Sequence, residues 1–144
     1  MISFARRRLD LFLPRLLRRL AQSWLRMVYN MDGCIFCKIV SGEIKGDIVY
    51  RDDQVTAFRD LHPAAPTHIL IVPNRHIDSV GALEQADEQL AGHLLFTARK
   101  LAEQEGIAQS GYRIITNTGK DGGQTLFHLH LHLIGGQSMK HPMG

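Results

Sequence analysis

Two cysteines in 144 residues are too few for a disulfide framework. They stand three apart, at Cys34 and Cys37, and such a pair in a small chain reads as metal or redox chemistry in a reducing compartment. No apolar run approaches the ~18–20 residues that a membrane-spanning helix needs. Internal repeats, low-complexity stretches, a P-loop and a G-x-G-x-x-G fingerprint are all missing. What is present is a globular balance: 22% charged residues against 44% hydrophobic ones, in a chain long enough to bury the core of one domain.

The net charge of +3 conceals an asymmetry. Residues 1–30 hold seven arginines (Arg6, Arg7, Arg8, Arg15, Arg18, Arg19 and Arg26) and one acid, Asp10. Residues 31–144 hold ten basic and thirteen acidic groups, a net −3. The basic isoelectric point thus belongs to the amino-terminal extension, and no nucleic acid is expected as a partner. Within that extension Leu13, Leu16, Leu17, Leu20, Trp24, Met27 and Val28 fall at helical spacing, opposite Arg15, Arg18, Arg19, Gln22 and Arg26. A basic amphipathic helix of this kind suits a membrane-surface contact or an organelle presequence, although Pro14 interrupts its start. Translation beginning at Met31 is the competing account, and it makes residues 31–144 a cytoplasmic domain.

From Met31 the patterning predicts a short helix over 35–40, stopped at Ser41-Gly42, and a hairpin of strands over 48–51 and 55–60. A third strand is expected over 68–72. A long helix follows over 84–105, with Leu90, Leu94, Ala98, Leu101 and Ala102 on one face and Gly106 as its stop. Strands over 112–117 and 126–134 complete an α+β fold, an antiparallel sheet with its helices packed on one side.

The chemistry concentrates in His128-Leu129-His130-Leu131-His132-Leu133. On a strand this alternation presents three imidazoles on one face and buries three leucines on the other. Next-nearest residues lie about 6.7 Å apart, so His128 and His132 are roughly 13 Å apart at Cα and hardly share one ion with bonds of about 2.1 Å. A neutral imidazole can instead attack phosphorus, with its neighbours holding its tautomer and donating to phosphate oxygens. Just upstream, residues 117–125 (Asn-Thr-Gly-Lys-Asp-Gly-Gly-Gln-Thr) form a glycine-rich turn whose backbone N–H groups, with Gln124 and Thr125, make a candidate phosphate cradle. An ordinary hairpin turn is the alternative. The Cys34–Cys37 pair supplies half of a tetrahedral zinc site, a redox pair, or two free thiols.

These residues carry a resemblance. The run 122–133 is similar to the His-x-His-x-His signature of the histidine triad superfamily. The similarity continues through residues 34–39, 58–61, 65–70 and 73–77, and covers 32–144 without the amino-terminal extension. It resembles the nucleotide-binding branch, the purine nucleoside phosphoramidases. The resemblance implies a five-stranded antiparallel sheet with two helices, extended across a homodimer. It also implies hydrolysis of the P–N bond of purine nucleoside phosphoramidates, with no metal needed for the chemistry. His130 would be the nucleophile that carries the nucleotide, His132 would contact the phosphate and help orient His130, and His68 would complete the catalytic histidines. Gly123, Gln124, Thr125 and Asn117 would bind phosphate, Thr125 standing where many members have serine and protonating the leaving amine. Asp60 would take the ribose hydroxyls, and Ile35, Phe36, Ile39, Phe58 and Leu61 the purine. In the subset with the cysteine pair, Cys34, Cys37, His76 and His128 would hold a structural zinc. His62, His93 and His141 are left over, in a loop, beside the apolar face of the long helix, and in a tail that reaches toward the partner's site. Dinucleoside polyphosphate hydrolysis and a nucleotide-binding dimer with vestigial turnover remain as alternatives. Leu129, where nucleotidyl transferases carry proline, speaks against that class.

Overall fold

The computed structural model describes residues 33–142; the basic amphipathic extension expected over 1–30 lies outside them. Among the described residues there are two α-helices and one sheet. Helix α1, Ile35–Ser41, is capped at its start by the Cys34 side chain, which accepts from the Cys37 N–H at 3.4 Å. It ends where Gly42 turns left-handed at φ 82°, a conformation that glycine adopts without a Cβ clash. Strands β1, Ile48–Arg51, β2, Val55–Arg59, and β3, Thr67–Pro73, form a meander. A 3-10 turn over Gln85–Asp87 leads into α2, Glu88–Gln104, and then come β4, Tyr112–Ile115, and β5, Leu131–Gly135. The strand order is β1-β2-β3-β5-β4, antiparallel throughout.

The central strands β2 and β3 are buried on both faces, and this corrects the expectation that both helices share one side. Val55, Ala57, Ile69, Ile71, Leu131 and Leu133 face α2, which covers them with Leu94, Ala98, Leu101 and Ala102. Alternate residues of the same strands, Phe58, Leu70 and Val72, face α1 and pack on Phe36 and Ile39. Strands buried on both faces lose the apolar-polar alternation, and β3 is buried along its whole length. Leu133 lies at the centre of the larger core, fully buried and paired with both Ile69 and Ile114. Leu133→Ala is expected to cost about 2–5 kcal/mol with an unchanged denaturant slope, measured by urea unfolding.

The last strand begins later than the sequence indicates, at Leu131 rather than near 126. Leu129, Leu131 and Leu133 still enter the larger core, so the alternation of faces holds. His128 and His130 nevertheless lie ahead of the sheet ladder, in a segment whose Leu129 N–H bonds the Ile77 carbonyl at 2.6 Å. Both rings are buried rather than presented, lying under α1.

Candidate active site and metal centre

The register Leu70↔His132 and His68↔Ile134 places His68 and His132 on neighbouring strands, on the sheet face that α1 covers. Their rings meet with His68 Nε2 2.9 Å from His132 Nδ1. The Ala64 N–H donates to His68 Nδ1 at 3.0 Å, so the His68 proton sits on Nε2, 3.5 Å from Asp60 Oδ2, and is donated to His132 Nδ1. His132 therefore carries its own proton on Nε2, as an outward donor. His130 is oriented differently: its Nδ1–H donates to the His128 carbonyl at 2.7 Å, which leaves Nε2 with a lone pair. The His130 ring lies 4.9 Å from His132 and edge-on to Phe36 at 5.2 Å. Burial pushes the His130 pKa down, and burial together with the neighbouring His130 and His68 pushes His132 down to about 4. Both rings are neutral at pH 7, the state a nitrogen nucleophile and its neutral donor require.

Asp60, His68 and His132 also place three ligand atoms within 4.8 Å of one another. The Ala64 N–H decides against a cation there: it keeps the His68 proton on Nε2, the atom a metal would need. The trio is a hydrogen-bond relay.

A second cluster has the opposite character. Cys34 Sγ lies 3.3 Å from His128 Nδ1, and Cys37 Sγ lies 3.3 Å from His76 Nδ1 and 3.5 Å from His128 Nδ1. Metal bonds of about 2.0–2.3 Å in a tetrahedron give edges of roughly 3.3–3.8 Å. The distal nitrogens are both held by oxygen acceptors, His128 Nε2 by the Pro73 carbonyl at 2.9 Å and His76 Nε2 by Asp78 Oδ1 at 2.8 Å. Both Nδ1 lone pairs thus point at the thiols, the arrangement in which a second shell orients metal-binding histidines. A hydrogen bond from the Cys37 thiol, joined by His128, pulls Cys34 well below the usual thiol range against its burial; the same bond, with burial, pushes Cys37 up. Four donors, two of them soft sulfurs, fit zinc with no position left open.

The glycine-rich turn is built differently from the expected cradle. The N–H groups of Gly123 and Gln124 are engaged inside it, on the Lys120 and Gly119 carbonyls. The buried Gln124 side chain accepts from the Gly119 N–H and donates to the Asp78 and Leu126 carbonyls. Gln124 is therefore an internal brace rather than a free donor. Asn117 ties the turn from the other side, donating to the Gly122 carbonyl at 2.7 Å. A Cβ on Gly122 would stand 2.3 Å from the Thr118 carbonyl oxygen, so only glycine closes this turn. Thr125 is exposed.

The expected purine residues divide. Phe36, Ile39 and Phe58 are buried together, the two rings edge-to-face at 5.4 Å, while Ile35 and Leu61 stand at the surface, Leu61 at 87% exposure. Among the leftover histidines, His62 lends its N–H to Asp60 Oδ1, His93 Nε2 meets Asp52 Oδ2 at 2.6 Å, and the His141 carbonyl accepts from Arg113. Two residues of the site escaped the sequence reading. Ala64 acts through its main chain, for which no sequence signal exists. Asp78 had one: a carboxylate two residues beyond a candidate metal histidine.

The fold that carries this site has known counterparts. Residues 41–139 match the family model of the HIT domain. The chain is 54% identical over 105 residues, 73% of its own length and 88% of the relative's, to the purine nucleoside phosphoramidase of Escherichia coli K12. A HIT family hydrolase from Legionella pneumophila superposes with a TM-score of 0.75 at 45% identity, covering 78% of this chain and all of that one. A histidine triad protein from Clostridium difficile does so at 0.75 and 43%, covering 78% of this chain and 97% of that one. The chain belongs to the HIT family, and it is an enzyme of the hydrolase class.

Proposed function

We propose that this chain hydrolyses the P–N bond of purine nucleoside 5′-phosphoramidates through a nucleotidyl intermediate on His130. The observation that carries the reading is the lock on His130: its Nδ1–H is held by the His128 carbonyl at 2.7 Å, which frees Nε2 for attack on phosphorus. As the Nε2–P bond forms, the P–N bond breaks and the departing amine takes a proton from the Thr125 hydroxyl. Water then attacks phosphorus, returns a proton, and releases His130 and the nucleotide. The outward Nε2–H of His132, fixed by the relay from Ala64 through His68, is a donor for the charge that develops on the phosphoryl oxygens. Asp60 is assigned the ribose hydroxyls, Gly123 and Asn117 the shape of the phosphate turn, and Phe36, Ile39 and Phe58 the apolar floor under a purine, with Ile35 and Leu61 at its rim. Cys34, Cys37, His76 and His128 are assigned a structural zinc. The E. coli relative named for phosphoramidate cleavage supports the choice of leaving group. The reading includes a homodimer joined along β4, which lies at an edge of the sheet with β5 as its neighbour. Among the described residues no helix is long and apolar enough to cross a membrane; a membrane-surface contact is assigned to the 1–30 extension on its composition alone.

Turnover of a fluorogenic adenosine phosphoramidate beside a diadenosine polyphosphate tests the reading, with AMP protection against thermal unfolding as the binding control. The phosphoramidate should be the faster substrate. Preference for the polyphosphate, or AMP binding without turnover of either, would replace the reading by a dinucleotide hydrolase or a binding dimer.

The depressed histidines also set a pH profile. A histidine neutral in the folded site acts at full strength above its pKa and fails as pH falls through it. The acid limb of kcat/KM should therefore lie below the ordinary histidine value of about 6.5, toward the value of about 4 at His132. A limb at 6.5 would show that these rings titrate as if exposed.

A further inference from the structure

We propose that the Cys34–Cys37–His76–His128 cluster is a positioning device for His130, so that metal occupancy sets the rate of the chemical step as well as the stability of the fold. The inference rests on His130 being the nucleophile.

The link is a single residue. His128 gives its ring to the cluster and its main-chain carbonyl to the His130 Nδ1–H. That carbonyl precedes β5, so no strand ladder fixes it. The peptide group that carries this carbonyl is tied only at its other end, where the Leu129 N–H bonds the Ile77 carbonyl, next to the second histidine of the cluster. The segments around 76–78 and 128–130 thus hold each other beside a centre to which each contributes a ligand atom. With the His128 ring pinned at Nε2 by Pro73 and at Nδ1 by a metal, its carbonyl has one place to be, and so has the His130 tautomer. Without the metal, Nδ1 keeps only its contacts with the two sulfurs.

Phe36 forms a second arm. It sits between the two cysteines on α1, 4% exposed, with its ring edge-on to His130 at 5.2 Å and to His128 at 5.9 Å. A metal that holds both sulfurs holds α1 at its first turn, and through it the ring that packs against the nucleophile. A centre that served stability alone would leave turnover unchanged in any molecule that remained folded.

The test compares 15N-labelled protein loaded with zinc and stripped by a chelator, at a temperature where circular dichroism shows both folded. The expected result is loss of the hydrogen-bonded His130 Nδ1–H resonance and a fall in phosphoramidate kcat of about 10–100-fold on stripping, with AMP affinity changed by less than about threefold. A stripped, folded protein that keeps both the resonance and kcat overturns the proposal. A resonance that follows the metal in a loaded protein with no turnover supports the positioning link and overturns the nucleophile reading instead. Should stripping unfold the chain, H128G loaded with cobalt in the presence of free imidazole carries the test. Imidazole can replace the missing ligand, read by the cobalt absorption, but has no covalent path to the carbonyl. Loading without recovery of turnover is expected; full recovery overturns the proposal.

Discussion

Replacing His130 by alanine is expected to lower phosphoramidate kcat by at least about 10⁴-fold while AMP still protects the protein against thermal unfolding. The size follows from what is removed. His130 carries a free lone pair on a neutral ring whose other nitrogen is locked by a main-chain carbonyl. No neighbouring group replaces it: His132 Nδ1 is occupied by His68, and His68 itself is held at both nitrogens. Binding survives because the relay, Asp60 and the Phe36–Phe58 pair remain in place. The measurement is single-turnover hydrolysis of the fluorogenic substrate, with acid-quenched wild-type protein searched by mass for the nucleotidyl adduct. A fall of only about 10²–10³-fold with no adduct would move the attack to water and make His130 a general base, and a mutant within about tenfold of wild type would leave His130 without a chemical role.

Stripping metal from the cluster should lower the melting temperature by roughly 10–20 °C, corresponding to about 4 kcal/mol or more of linked binding energy. Zinc titrated back should restore it with a stoichiometry of one. The magnitude reflects what the four ligands join: the N-cap and first turn of α1, the segment after β3, and the segment before β5. The smaller core, Phe36, Ile39, Phe58, Leu70 and Val72, closes only when α1 is docked there. The larger core on the α2 side has no member in the cluster, which is why the stripped chain is expected to stay folded at room temperature. An unchanged melting temperature would mean that the two thiols and two imidazoles hold one another without an ion.

The sequence made the elements and the order of the histidines readable because these depend on local pattern. The alternation of His128, His130 and His132 with three leucines correctly divides the segment between two faces, and the two closely spaced cysteines do come together with His76 and His128 in a cluster that could hold a metal. Contacts between distant segments were not readable. An imidazole pattern cannot show that His128 turns its ring back onto Cys34, 94 residues away, or that the strand starts only at Leu131. The seven residues of α1 carry too little periodicity to show that they cover the sheet face opposite α2. Gln124 looked like a phosphate donor because glutamine in a glycine-rich turn usually faces solvent; here its amide is turned inward to the Asp78 carbonyl.

The topology has a kinetic consequence. The β1-β2-β3 meander pairs neighbours in sequence, whereas β3 pairs with β5 between Ile71↔Leu131 and Thr67↔Gly135, with His68 and His132 separated by 64 positions. Closing that span is the slow, entropically unfavourable event, while the meander and α2 assemble from nearby segments. The pairing of β3 with β5 is also what brings His68 to His132. During refolding, the return of hydrolysis is therefore expected to report the long-range closure and to trail the recovery of helical signal.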